Sequence, residues 1–168
     1  MPKTHKLIIA TGLILGGVLG MAGTLVPSET LRALLWTIDG VGLIIATTLL
    51  VLQFFRAQND LVAAGFLIYA IGESIITIGN LANPMVVVPT FAAGTALWSA
   101  GLMLTSAPSG FPLWTRAAGA LAAILFAITS LTIMGGTPLT PLSHPLPFFA
   151  YPILVLTFIG WLLHTLRN

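Results

Sequence analysis

Residues 61–81 read LVAAGFLIYAIGESIITIGNL. Glu73 is the one charged side chain in that run. A membrane span needs roughly 20 mostly apolar residues to cross a ~30 Å hydrocarbon layer, and this stretch meets that length. A helix is the economical form, because backbone groups in lipid must be satisfied within the segment or in a closed barrel. The run also lacks the in–out alternation of barrel strands. On a helix, Gly65, Tyr69, Gly72, Glu73, Ile76, Gly79 and Asn80 fall on one stripe, at steps of three and four. Small residues let backbones approach, so this stripe should face protein and carry Glu73 into a bundle. Ser74 falls on the opposite side.

Working outward, five more stretches meet the same test: 7–26, 31–55, 85–104, 113–134 and 148–166. The expected fold is an all-α integral membrane protein of six transmembrane helices in a single polytopic domain. Composition agrees. Of 168 residues, 57% are hydrophobic and 6% are charged, and the mean hydropathy is +1.05. A soluble domain carries about 25% charged residues, and a disordered chain needs low hydrophobicity. Zero cysteines exclude disulfides, thiolate metal sites and thiol chemistry. The net charge of +2 arises from ten charged residues and gives no reason to expect a nucleic-acid partner.

Turn chemistry separates the spans. Ser28 is a candidate helix cap after Pro27, with Glu29 in the first turn behind it. Gln58-Asn59-Asp60, Asn83-Pro84 and the stretch from Pro108 to Pro112 mark further breaks. The longest break, 135–147, holds Pro138, Pro141, Pro145 and Pro147, which favours an ordered, extended lid. With both termini in the cytoplasm, Lys3, Lys6, Arg56, Arg116 and Arg167 lie on the cytoplasmic side and Arg32 alone lies outside. The expected location is a prokaryotic inner (cell) membrane. Trp36, Trp114 and Trp161 then fall near helix ends, as an aromatic belt would place them. The uncharged run from Leu7 to Ser28 outlasts the ~7–15 residues of a signal-peptide core, so the first span is expected to be retained.

At an offset of 78 residues the chain echoes itself. Gly16 meets Gly94, Leu19 meets Leu97, Gly23 meets Gly101, and Leu35-Trp36-Thr37 meets Leu113-Trp114-Thr115. Two inverted three-helix repeats, a recurring plan in secondary transporters, would produce such an echo. Reuse of small-residue packing motifs would produce it too.

Two carboxylates lie inside spans. Asp39 and Glu73 each sit about eight residues from the outer ends of neighbouring, oppositely running helices, roughly 12 Å deep at 1.5 Å per residue. In the second span Arg32, Asp39, Ala46 and Gln53 recur every seven residues, with Trp36 and Leu43 alongside. Charges at such depth are expensive and mark functional sites by default. The expected site is an acidic pocket of Glu73 and Asp39 reached from outside. Tyr69, Asn80 and Arg32 would support it, and Trp36 would shape its mouth. Such a pair could bind a cation or share a proton, because two close carboxylates repel when both are ionised. In the competing reading Asp39 pairs with Arg32 and Glu73 is packing glue. His144, in the outer loop, could join Asp39 and Glu73 as an oxygen–imidazole metal site, although no local ligand spacing supports it.

Enzyme motifs are missing. There is no nucleophile elbow, no His-Glu-x-x-His and no Walker loop. Asp39-Gly40 lacks the further aspartates of metal-assisted phosphotransfer. No histidine pair at matched depth suits haem, and no cofactor is expected. The leading function is a small transporter or channel handling a cation, a proton or a small-molecule substrate in the lipid bilayer, with a homo-oligomer expected. The alternatives are a non-catalytic membrane subunit or assembly protein, and a membrane enzyme with an outer-face carboxylate and histidine site.

Overall fold

The computed structural model describes residues 1–81 and 84–167. They form six helices: α1 (Lys3–Leu25), α2 (Glu29–Arg56), α3 (Asp60–Leu81), α4 (Pro84–Ser106), α5 (Leu113–Met134) and α6 (Ala150–Arg167). All six are long and apolar enough to cross a membrane. Ser28 caps α2 as expected, its side chain accepting from the Leu31 N–H at 3.3 Å. Ala57 is the C-cap of α2, and Gln58 takes a positive φ of 57° before α3 starts at Asp60. Asn83, half of the expected Asn83-Pro84 break, lies outside the described residues, and α4 begins at Pro84. α1 starts at Lys3, four residues before the apolar run, because its polar first turn continues the helix outside the hydrocarbon.

The lid is ordered but not extended. Residues 137–140 are irregular, and turns follow from Pro141 to Phe149. Ser143 closes the first turn, donating its N–H to the Thr140 carbonyl at 3.0 Å while its Oγ accepts from the Thr140 N–H at 2.9 Å. These local bonds outweigh the extended preference of proline, which also suits turn positions. They delay α6 to Ala150.

Each helix packs antiparallel on the next, and α6 returns to α1, so the six close into a ring. Glycine sets the spacing. Between α3 and α4 two glycine pairs meet, one heptad apart. A Cβ on Gly72 would lie 2.8 Å from the Gly94 carbonyl oxygen, and one on Gly65 would lie 2.9 Å from that of Gly101. Such approach is open only to glycine. The stripe on α3 therefore faces protein, as its spacing predicts: Gly65, Tyr69, Gly72, Glu73, Ile76 and Gly79 are all buried. Leu67, Ile71 and Ile78 on the other face stay exposed, an apolar surface suited to lipid. In α1, Gly12, Gly16 and Gly23 are occupied by α2, against Gly42, Leu43 and Trp36.

The interior is aromatic. Phe66 and Trp161 meet at 4.7 Å between ring centroids, Phe54 and Phe66 at 5.5 Å, and Phe54 and Phe111 at 5.4 Å. This stack fills the ring toward the end that carries both termini. Trp161 is 1% exposed and belongs to the core, which corrects the expectation of a belt residue. Trp114 is 46% exposed, as a belt residue would be.

Two arginines clamp helix hairpins. Arg32, in the first turns of α2, donates through Nε to the Gly23 carbonyl at 3.3 Å and through Nη2 to that of Val26 at 2.8 Å. Arg116, at the same place in α5, donates through Nε to Ser106 and through Nη2 to Ala107, both at 2.8 Å. Each satisfies orphan carbonyls at the end of the preceding helix. The clamps lie at opposite ends of the molecule. The identities at the 78-residue offset do not share places, however: Gly16 packs on α2, whereas Gly94 packs on α3.

Candidate functional site

Each intramembrane carboxylate lies against a glycine of a neighbouring helix. A Cβ on Gly20 of α1 would lie 2.9 Å from Asp39 Oδ2. A Cβ on Gly40 of α2 would lie 3.2 Å from Glu73 Oε1 and would strike Thr77 Oγ1. The glycines make room for carboxyl groups that a side chain would displace. Glu73 is 4% exposed; Asp39 is half-buried, with Oδ1 sealed from solvent.

Asp39 and Glu73 both line one cavity of about 60 Å³. At 10–15 Å³ for each, that is room for about four to six waters. α1, α2, α3, α4 and α6 contribute to its walls, and Pro141 of the lid joins them. Asn80, Tyr69 and Trp36 are all on its lining. Four polar atoms on the lining find no hydrogen-bond partner within the protein: Asp39 Oδ1, Glu73 Oε2, Tyr69 OH and Trp98 Nε1. Trp98 sits at the Glu73 carboxyl group, yet its N–H closes no well-formed hydrogen bond. An unmet buried polar group costs about 1–3 kcal/mol. Several in one cavity mark a place built for polar guests.

A wider vestibule of about 340 Å³ lies above, lined by Glu29, Arg32 and Thr140 among others. Trp36, Asn80 and Pro141 line both spaces, so the two adjoin at these residues. Trp36 is held by its Nε1–H, which donates to the Gly20 carbonyl at 3.1 Å. Arg32 lies in the vestibule with its guanidinium 5.9 Å over the Trp36 ring. Its hydrogen bonds go to the end of α1 rather than to Asp39, and Asp39 Oδ1 stays unpartnered. Arg32 therefore shapes the approach and leaves the acid uncompensated.

His144 is not brought to the carboxylates. It stacks on Phe148 at 4.2 Å, with Phe149 at 5.9 Å. Among the described residues no three His, Asp or Glu side chains come together as a metal would need. The proposed His144–Asp39–Glu73 metal site is thereby corrected: the turns of the lid keep the imidazole in an aromatic cluster.

Sequence reasoning missed Thr77, Trp98, Tyr151 and Phe158. Thr77 stands four residues after Glu73, one turn along the same face, so the stepping rule could have found it. Nothing local marks the three aromatic residues. Their inward direction depends on the rotation of α4 and α6.

No family model, curated protein or solved structure matches the chain. Function is therefore argued from the site itself.

Proposed function

We propose that the protein is a small transporter or channel that takes a cation or proton from the lid end into a cavity governed by Glu73 and Asp39. The observation that carries the reading is the pair of unpartnered carboxylate oxygens, from two helices, in one cavity that adjoins a vestibule. Two close carboxylates repel when both are ionised, so the pair is suited to holding one proton or one monovalent cation in exchange. The aromatic stack below separates the cavity from the far end, as a carrier open to one side requires. Five of six basic side chains at the terminal end favour termini in the cytoplasm of a prokaryotic cell and a mouth facing outside. The two arginine clamps at opposite ends favour two inverted halves.

Thermal unfolding of the detergent-purified protein tests the reading, across pH and a panel of cations. A guest bound only by the folded state stabilises it by ~2.7 kcal/mol at a hundred times its Kd. Wild type should show such a shift, and Glu73→Gln and Asp39→Asn should lose it. Liposome flux of the same ion should vanish in both variants. If no shift depends on either carboxylate, the role of a non-transporting subunit takes over. Gly72→Leu does not separate the two readings, because a side chain there strikes the Gly94 carbonyl in either case.

A further inference from the structure

The cavity differs from a simple acidic hole in what surrounds the acids. Tyr69 and Trp98 lie nearly parallel, at 8° and 5.6 Å between centroids, and Phe158 meets Tyr69 at 89°. All three line the cavity, Tyr69 and Trp98 as a stacked pair with Phe158 perpendicular to Tyr69. Trp36 and Tyr151 add aromatic surface toward the lid end, and no basic side chain lines the cavity. A desolvated metal ion asks for many oxygen ligands, six to eight for calcium. No cluster of three His, Asp or Glu side chains exists among the described residues. Ring faces cannot replace those ligands, but they do attract organic cations, which shed water more readily. The unpartnered Asp39 Oδ1 and Glu73 Oε2 are acceptors, so they favour a cation that carries N–H donors. Room for about four to six waters limits the guest to a few heavy atoms.

We infer that the cavity binds a small protonated amine, its ammonium N–H groups donating to Asp39 and Glu73 and its alkyl part lying against the Tyr69, Trp98 and Phe158 rings. This rests on the cation-handling reading above and names its substrate class.

Isothermal titration of the full-length protein with methylammonium, propylammonium, tetramethylammonium and potassium chlorides, at constant ionic strength, tests it. The two N–H-bearing amines should bind wild type at least about tenfold more tightly than either potassium or tetramethylammonium. Glu73→Gln should abolish that binding. Trp98→Leu should weaken it at least about fivefold and Trp98→Phe should restore most of it. Tyr151→Leu replaces Trp98→Leu if the latter does not fold. Potassium or tetramethylammonium binding as tightly as the amines overturns the inference, as does an affinity untouched by the ring substitutions. If that binding still needs Glu73, the cation-handling reading survives alone. If no cation binds in a carboxylate-dependent way, both fall.

Discussion

Gly20 contributes no atoms to chemistry, yet it decides where Asp39 can lie. An added methyl would press on Asp39 Oδ2, the far end of a side chain with cavity space beside it. Gly20→Ala should therefore leave folding within about 1 kcal/mol of wild type, since the acid can swing aside. It should also reduce the cation-dependent thermal shift, which the same unfolding assay reads. At this scale the sequence was informative wherever helical stepping applied. Glu73, Tyr69 and Asn80 share a glycine-rich face and meet at one cavity. Trp161 was misread, because an aromatic residue near a helix end suits either a lipid headgroup or a core. Only the packing of α6 over Phe66 and Tyr69 decides between them.

Among the elements, span positions followed from length and hydropathy, and the helix ends fall within a few residues of those readings. Departures arise where polar residues or hydrogen bonds act: the first turn of α1, and the lid, whose turns shorten α6. The hairpin clamps had no sequence signature, because an arginine seeking carbonyls looks like one marking a membrane face. Each clamp makes two charge-assisted hydrogen bonds near a partly exposed helix end. Arg32→Ala and Arg116→Ala should each lower stability by about 1–2 kcal/mol, the direct value of such bonds discounted for solvent. Lysine in either place should recover less than half, since one ammonium cannot fork between two carbonyls as a guanidinium does. Denaturation of the purified variants measures both.

The whole molecule is a ring with a ported end and a plugged end, a polarity that composition does not carry. The natural chain has no cysteine, so single introduced thiols report cleanly. Thr140→Cys, in the vestibule, should react with a membrane-impermeant maleimide added to intact cells, and an Ala57→Cys thiol at the α2–α3 turn should react only after lysis. The reverse pattern would place the vestibule in the cytoplasm. The inverted-repeat expectation is resolved least at this scale. Its sequence echo pairs residues with different neighbours, while the arginine clamps pair residues that the echo does not align.

The depth of the carboxylates has an electrical side. Asp39 lies ten residues into α2 and Glu73 eight from the end of α3, so both are roughly 12–15 Å down, near the middle of a ~30 Å hydrocarbon layer. A cation settling there from the ported end crosses about half of the transmembrane field. A full crossing is worth ~2.3 kcal/mol per 100 mV, so a polarised membrane biases occupancy by about 1 kcal/mol, several-fold in population. With the far end plugged in this conformation, a voltage step should first move a pulse of charge, ahead of any current that turnover carries. The site would then behave as a small capacitor whose stored charge counts the filled cavities.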